Sequence, residues 1–188
     1  PEAFDRYDGK TYIWKPNCSS GSRNITILSG KELTAANARK AWERAAEASA
    51  DGKGIVEEFC EGTEYTVEML GDGYGNVGVY GISQKYHTPY NTRNKIAVKL
   101  HYCPLDVSDE QQARLAAFGQ SCYRALGLSC SFGHLEVIVK PDGTMVPVEM
   151  GARSSGFIAS HLVDLIHEKT VYLPDYARVI RGETGKDG

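Results

Sequence analysis

The stretch His134-Leu135-Glu136-Val137-Ile138-Val139-Lys140-Pro141-Asp142-Gly143-Thr144-Met145-Val146-Pro147-Val148-Glu149 reads as a β-hairpin. Asp-Gly between two alternating runs is a strong hairpin signal, because such turns need positive φ at their centre. With Asp142 and Gly143 as the two turn residues, Glu136 faces Glu149 in a non-hydrogen-bonded pair, the type that brings side chains closest. The same register puts Leu135, Val137, Val139, Val146, Val148 and Met150 on the opposite face, all apolar. It also places Pro147 where its missing N–H costs the hairpin nothing. Facing carboxylates repel by roughly a few tenths of a kcal/mol, and a cation between them would turn that cost into a binding site. Arg153, at the parity of Glu149, extends the charged face if the strand runs on. Alone, this pattern is also that of a solvated outer face, so the rest of the chain has to decide.

Upstream, residues 64–84 read as a second hairpin around Asp72-Gly73-Tyr74-Gly75-Asn76, with Tyr65, Val67 and Met69 alternating on one arm and Val77, Val79 and Ile82 on the other. Between the hairpins lie a polar, basic loop over 85–95 with Lys85, His87, Arg93 and Lys95, then a strand over 96–102. An amphipathic helix follows over 106–126, with Ser108 as N-cap and Gly127 at its end. Nearer the start, a strand over 11–14 stops at Lys15-Pro16 and gives way to the loop Asn17-Cys18-Ser19-Ser20-Gly21-Ser22-Arg23. A strand over 25–28, a helix over 31–50 and a short strand over 55–59 come next. The helix carries Leu33, Ala36, Ala41, Trp42 and Ala45 at helical spacing and is ended by Gly52 and Gly54. Downstream, residues 151–160 are small and polar. Two helices close the chain, near 158–168 and 170–181, the second starting at or after Pro174. No βαβ rhythm repeats, which excludes a doubly wound sheet. The order predicts an α+β fold of two lobes, 11–60 and 61–185, with antiparallel sheets. Clefts between lobes are common ligand sites.

The 188 residues carry a net charge of −3 with no basic run, which does not point to nucleic acid as a partner. No stretch has the length and apolarity of a membrane span, and no signal peptide is evident. Five cysteines, odd in number and without C-x-x-C spacing, argue against a zinc site or disulfide framework. They point to a reducing cytosol, with the thiols as small buried hydrophobes or idle groups.

Three further constellations stand out. The Lys15–Ser22 stretch offers backbone N–H groups to an anion with a lysine at its base, although it lacks P-loop order. Val56-Glu57-Glu58-Phe59-Cys60-Glu61-Gly62-Thr63-Glu64 brackets a short strand with acids. In a hinge, such a backbone can pair with a purine edge while a carboxylate holds ribose hydroxyls. Gly151-Ala152-Arg153-Ser154-Ser155-Gly156 presents an arginine suited to an oxyanion or phosphate. Singly, each also fits a plain surface turn or strand end.

In this order, over residues 12–181, the motifs resemble those of the ATP-grasp superfamily, in particular its carboxylate–amine ligases. The resemblance implies a two-lobed fold with nucleotide between the lobes. Lys15, Ser20, Gly21 and Ser22 would hold phosphates, Glu57 with the backbone of Glu58 and Phe59 would meet adenine, and Glu64 would reach ribose. Glu136 and Glu149 would bind Mg²⁺, with Mn²⁺ as a substitute, and Arg153 would be the catalytic arginine. Lys85 and Arg93 are further candidates for nucleotide or substrate contact, whereas His134 reads as structural. The implied reaction phosphorylates a small carboxylic acid with ATP, giving an acyl phosphate that an amine attacks.

The chain departs from the family pattern in two ways. Many members carry an asparagine where this chain has Gly151, so the metal would rest on Glu136, Glu149, phosphate oxygens and water. Members also usually have an earlier domain, so the chain is expected to be the ATP-binding part of a longer cytoplasmic polypeptide, with that N-terminal domain as its partner. The sequence leaves room for a homodimer. Two other readings of the same fold are a carboxyphosphate-forming module, of the biotin carboxylase or carbamoyl phosphate synthetase type, and a non-catalytic nucleotide-binding module. The retained Glu136, Glu149 and Arg153 argue against the last.

Overall fold

The computed structural model describes residues 9–19, 23–87, 98–102, 107–156 and 172–183. Ser20, Gly21, Ser22, Arg93, Lys95 and the helix expected near 158–168 lie outside these residues. The chain divides into two units, with boundaries at Cys60/Glu61, Tyr86/His87 and Val98/Lys99.

The first unit contains β1 (Tyr12–Pro16), β2 (Thr26–Leu28), α1 (Ala35–Glu47) and β3 (Gly54–Glu58). The strands form an antiparallel sheet in the order β2-β1-β3. β1 runs two residues further than its sequence suggests, because Lys15 and Pro16 pair with Ile55 and Gly54. Pro16 is tolerated as the last strand residue, beyond the part of β1 that pairs with β2. The helix starts later than expected. Thr34 caps it by accepting from the Asn37 N–H at 3.2 Å, so Leu33 stays outside it, after a single 3₁₀ turn at Gly30–Glu32. Trp14, Leu28, Leu33, Ala38 and Ala41 form the core, the alanines letting α1 lie close to the sheet. Trp42, expected inside, is 48% exposed.

The second unit contains β4 (Thr63–Gly71), β5 (Val77–His87), β6 (Val98–Tyr102), α2 (Asp109–Ala125), β7 (Phe132–Val139), β8 (Met145–Gly151) and α3 (Tyr172–Ile180). Its five strands are ordered β6-β5-β4-β7-β8, and β4 pairs antiparallel with both β5 and β7. Tyr65, Val67, Met69, Leu135 and Val137 bury one face against Leu115 and Tyr123 of α2. Gly119 permits the close approach: a Cβ there would stand 3.0 Å from Val67 Cγ1 and 3.1 Å from Met69 Sδ. Ser108 caps α2, accepting from the Gln111 N–H, and Gly127 follows it with φ 71°. α3 begins at Tyr172, ahead of Pro174. Proline is accepted there because first-turn N–H groups have no helical partner.

The β7–β8 hairpin corrects the expected turn. Lys140 N–H donates to Thr144 O, Gly143 N–H donates to Lys140 O, and Gly143 has φ 81°. The loop is therefore Pro141-Asp142-Gly143, one residue longer than expected, and Val139 pairs with Met145 and Val137 with Pro147. A bulge between Glu136 and Val137 then shifts the register back, so Glu136 still faces Glu149 and Leu135 still faces Met150. Val146, opposite Ile138, is thereby moved off the apolar face, and Met145 joins the core. Among the described residues, no helix is long and apolar enough to cross a membrane.

Candidate active site

Strand alternation puts Glu64, Thr66 and Glu68 of β4 on the face turned away from α2. Across the ladder, Glu64 stands opposite Lys85, Thr66 opposite Ser83 and Glu136, and Glu68 opposite His134. Thr66, Glu68, Lys85 and His134 are all buried. Such groups are tolerated only when paired, and here they are. Lys85 Nζ donates to Glu136 Oε1 at 2.8 Å and also to Glu64 Oε1. His134 Nδ1 meets Glu68 Oε1 at 2.7 Å, its Nε2 lies 3.6 Å from Glu136 Oε1, and Thr66 and Ser83 share a hydroxyl hydrogen bond of 2.7 Å. One chain of contacts thus runs Glu68–His134–Glu136–Lys85–Glu64 across three strands. Lys85, expected in a basic loop, is a buried strand residue of β5, held there by the carboxylates it neutralises.

Burial by itself would push the Lys85 ammonium down, but Glu136 and Glu64 outweigh it and hold it above the ordinary lysine range. Burial opposes the charged form of His134 as well, yet the Glu136 and Glu68 carboxylates raise it to about 9. Glu136 moves the other way: burial would raise it, and His134 and Lys85 hold it down at about 2. Both cations address the same oxygen, Oε1. Among the described residues, Glu136 Oε2 is left to accept a further ligand.

Glu149, directly opposite Glu136, is 56% exposed on its side chain and lies 3.6 Å from Arg153 Nη2. Arg153 Nη1 also donates to Ser154 O at 3.1 Å. A Cβ at Gly151 would fall 3.1 Å from Arg153 Cγ and 3.4 Å from its Cζ, so the absent side chain is what lets the arginine fold back towards Glu149. Among the described residues, no group of three or more His, Cys, Asp or Glu side chains is arranged to hold a metal. The facing pair Glu136/Glu149, with a carboxylate oxygen to spare, fits a hard divalent cation that takes its remaining ligands from phosphate and water.

In the first unit, Lys15 and Glu57 share the sheet face turned away from α1 and form an ion pair. Glu58 lies on the other face, bonded to Lys10 at 2.6 Å, and Phe59 N–H donates to Thr11 O at 2.8 Å. The start of the Asn17–Arg23 loop is tied down by groups that the sequence did not single out. Asp51 accepts from Asn17 Nδ2 and from Ser49 Oγ, each at 2.6 Å. Ser49 Oγ in turn accepts from Cys18 N–H at 2.9 Å.

Glu68 is not among the residues that the sequence motifs single out. The signal was present: period-two alternation from Glu64 through Thr66 to Glu68 marks a polar face on a strand whose other face is apolar.

Residues 9–161 match the family model described as an ATP-grasp domain. A D-alanine–D-alanine ligase of Nitrosospira multiformis is 30% identical over 140 residues, covering 72% of this chain and 42% of the ligase. In fold, the chain is similar to the biotin carboxylase domain of Hydrogenobacter thermophilus 2-oxoglutarate carboxylase, solved with MgADP, ADP and bicarbonate. That likeness has a TM-score of 0.76 at 21% identity and covers 95% of this chain and 38% of that one. It is also similar to the VanG D-Ala:D-Ser ligase of Enterococcus faecalis, with a TM-score of 0.70 at 21% identity, covering 96% of this chain and 50% of that one. The chain spans half or less of each relative. With most of its length matched by the family model and its antiparallel sheets matching those of solved members, this chain belongs to the ATP-grasp domain family.

Proposed function

We propose that the chain forms the ATP-binding part of an ATP- and Mg²⁺-dependent carboxylate–amine ligase, which activates a carboxylic acid as an acyl phosphate. The observation that carries this reading is the facing pair Glu136/Glu149, with Glu136 Oε1 bonded by Lys85 and 3.6 Å from His134 Nε2, and its second oxygen left over among the described residues. A carboxylate is a poor electrophile, and converting it to an acyl phosphate gives an amine a leaving group to displace. Phosphoryl transfer asks the protein for position and charge rather than covalent chemistry. Glu136 and Glu149 would hold Mg²⁺, which supplies charge neutralisation at the β- and γ-phosphate oxygens. Lys15 grips the α- or β-phosphate, and the loop carrying Ser20, Gly21 and Ser22 excludes water that would hydrolyse the intermediate. Glu57 and the backbone of Glu58 and Phe59 receive adenine, and Glu64 the ribose. Arg153 stabilises the transferring phosphoryl group, and Lys85 neutralises charge beside it. The ligase relative at 30% identity supports the amine-accepting reading.

Hydroxylamine trapping on a longer natural polypeptide containing this chain tests it. The expected outcome is an ATP-dependent hydroxamate, strongly reduced by Arg153→Ala. ATP hydrolysis that depends on bicarbonate, with no hydroxamate from any carboxylic acid, would replace this reading with carboxyphosphate formation.

A further inference from the structure

We infer that Glu68 is a positioning residue for the metal-type carboxylate Glu136, acting through the imidazole of His134. The inference rests on the reading of Glu136 as a ligand of the Mg²⁺ that accompanies the nucleotide. Glu68 lies at the middle of the central strand β4, 4% exposed, directly opposite His134 in the ladder. Its Oε1 accepts from His134 Nδ1 at 2.7 Å, which leaves one edge of the ring, Nε2, for Glu136 Oε1 at 3.6 Å. Lys85 approaches the same Oε1 at 2.8 Å. A ring tied at Nδ1 keeps Nε2 turned towards Glu136, and a carboxylate bonded at Oε1 by Lys85 and flanked there by Nε2 presents Oε2 in a preferred direction. Partners of this kind orient the groups that contact a metal, and removing them commonly weakens metal binding by about 10- to 100-fold.

A purely architectural role accounts poorly for this residue. Among the described residues, Glu68 Oε2 is buried without a hydrogen-bond partner, a costly condition that apolar residues here would avoid. Hydrophobic replacements of buried ion pairs are often neutral or stabilising. If packing were all that these two positions required, an apolar pair in place of Glu68 and His134 would serve at least as well. What glutamate adds is an acceptor for Nδ1–H, and that bond fixes which ring nitrogen faces Glu136.

The test uses the 188-residue chain, titrated with a non-hydrolysable ATP analogue and with Mg²⁺ by calorimetry. Glu68→Met is expected to weaken Mg²⁺ binding to the nucleotide complex about tenfold or more, with metal-free nucleotide affinity unchanged. Glu68→Gln, which keeps an acceptor for Nδ1–H, should restore most of it. Equal Mg²⁺ affinity in the wild type and in folded Glu68→Met overturns the inference. So does a parallel loss of metal-free and metal-dependent binding, which would report only a damaged site. An unmutated chain whose nucleotide binding ignores Mg²⁺ overturns the underlying reading instead. A measurement independent of variant folding uses long-range ¹H–¹⁵N spectra of the unliganded chain. His134 Nδ1 should carry a strongly hydrogen-bonded proton, and an unprotonated Nδ1 contradicts the arrangement.

Discussion

Lys85, with a side chain only 5% exposed, would be an expensive residue in most sheets, and the carboxylates of Glu64 and Glu136 make it tolerable here. The same coupling ties stability to pH. His134 has its folded value raised from 6.5 to about 9, so its contribution is complete below about 6.5 and is lost as pH rises towards 9. Glu136 is lowered from 4.5 to about 2, so its contribution is present above about 4.5 and is lost as pH falls towards 2. Stability from this cluster should therefore be greatest between about pH 4.5 and 6.5. Urea denaturation across pH 5–9 should show a declining alkaline limb that flattens in His134→Asn, and an unchanged slope in that variant would contradict the assignment. The hairpin that carries Glu136 and Glu149 was legible in the sequence from its two alternating arms around Asp-Gly, but their pairing holds only because a bulge offsets the longer turn. Lys85 was not legible, because a lone lysine beside a polar segment reads as solvated loop. Only the distant Glu64 and Glu136 explain its burial, and no local pattern reports them. His134 reads as structural in the sequence, since its partner Glu68 is 66 positions away.

Among the elements, the β7–β8 hairpin is the instructive case. The expected two-residue turn was too short by one, and the bulge after Glu136 takes up the difference. The facing pair therefore survived an error in the turn, while Val146 and Met145 exchanged faces. Turn length is set by whether Gly143 alone, or Asp142 with it, takes positive φ, and Pro141 favours the former because its fixed φ suits the first turn position. α1 begins at Ala35 rather than at Lys31, because the Thr34 cap outcompeted the helical spacing of Leu33. Strand-to-helix packing in the second unit depends on Gly119, which no periodicity identifies as a contact. Gly119→Val would drive a branched side chain into Val67 and Met69 and should cost about 1–3 kcal/mol through overpacking. Chemical denaturation measures it, and a loss within error of zero would mean that α2 shifts freely on the sheet.

For the molecule as a whole, composition excluded much and specified little: the charge of −3 set basic nucleic-acid readers aside, and the missing βαβ rhythm set doubly wound folds aside. What identified the family was the order of four short motifs, each unremarkable by itself, and the family model matches the chain over residues 9–161. No such trace points to a particular carboxylic acid or amine, because the resemblance assigns the four motifs to nucleotide and metal. On the proposed function, the two facing glutamates make nucleotide binding depend on a divalent cation. This dependence is tested most directly by calorimetric titration of the 188-residue chain with a non-hydrolysable ATP analogue, with and without Mg²⁺, beside Glu149→Gln. The expected result is binding that requires Mg²⁺ and weakens about tenfold or more in the variant, with the melting temperature nearly unmoved because Glu149 is half exposed. Binding that is indifferent to Mg²⁺, or a variant that loses stability while keeping its Mg²⁺-dependent affinity, would contradict it.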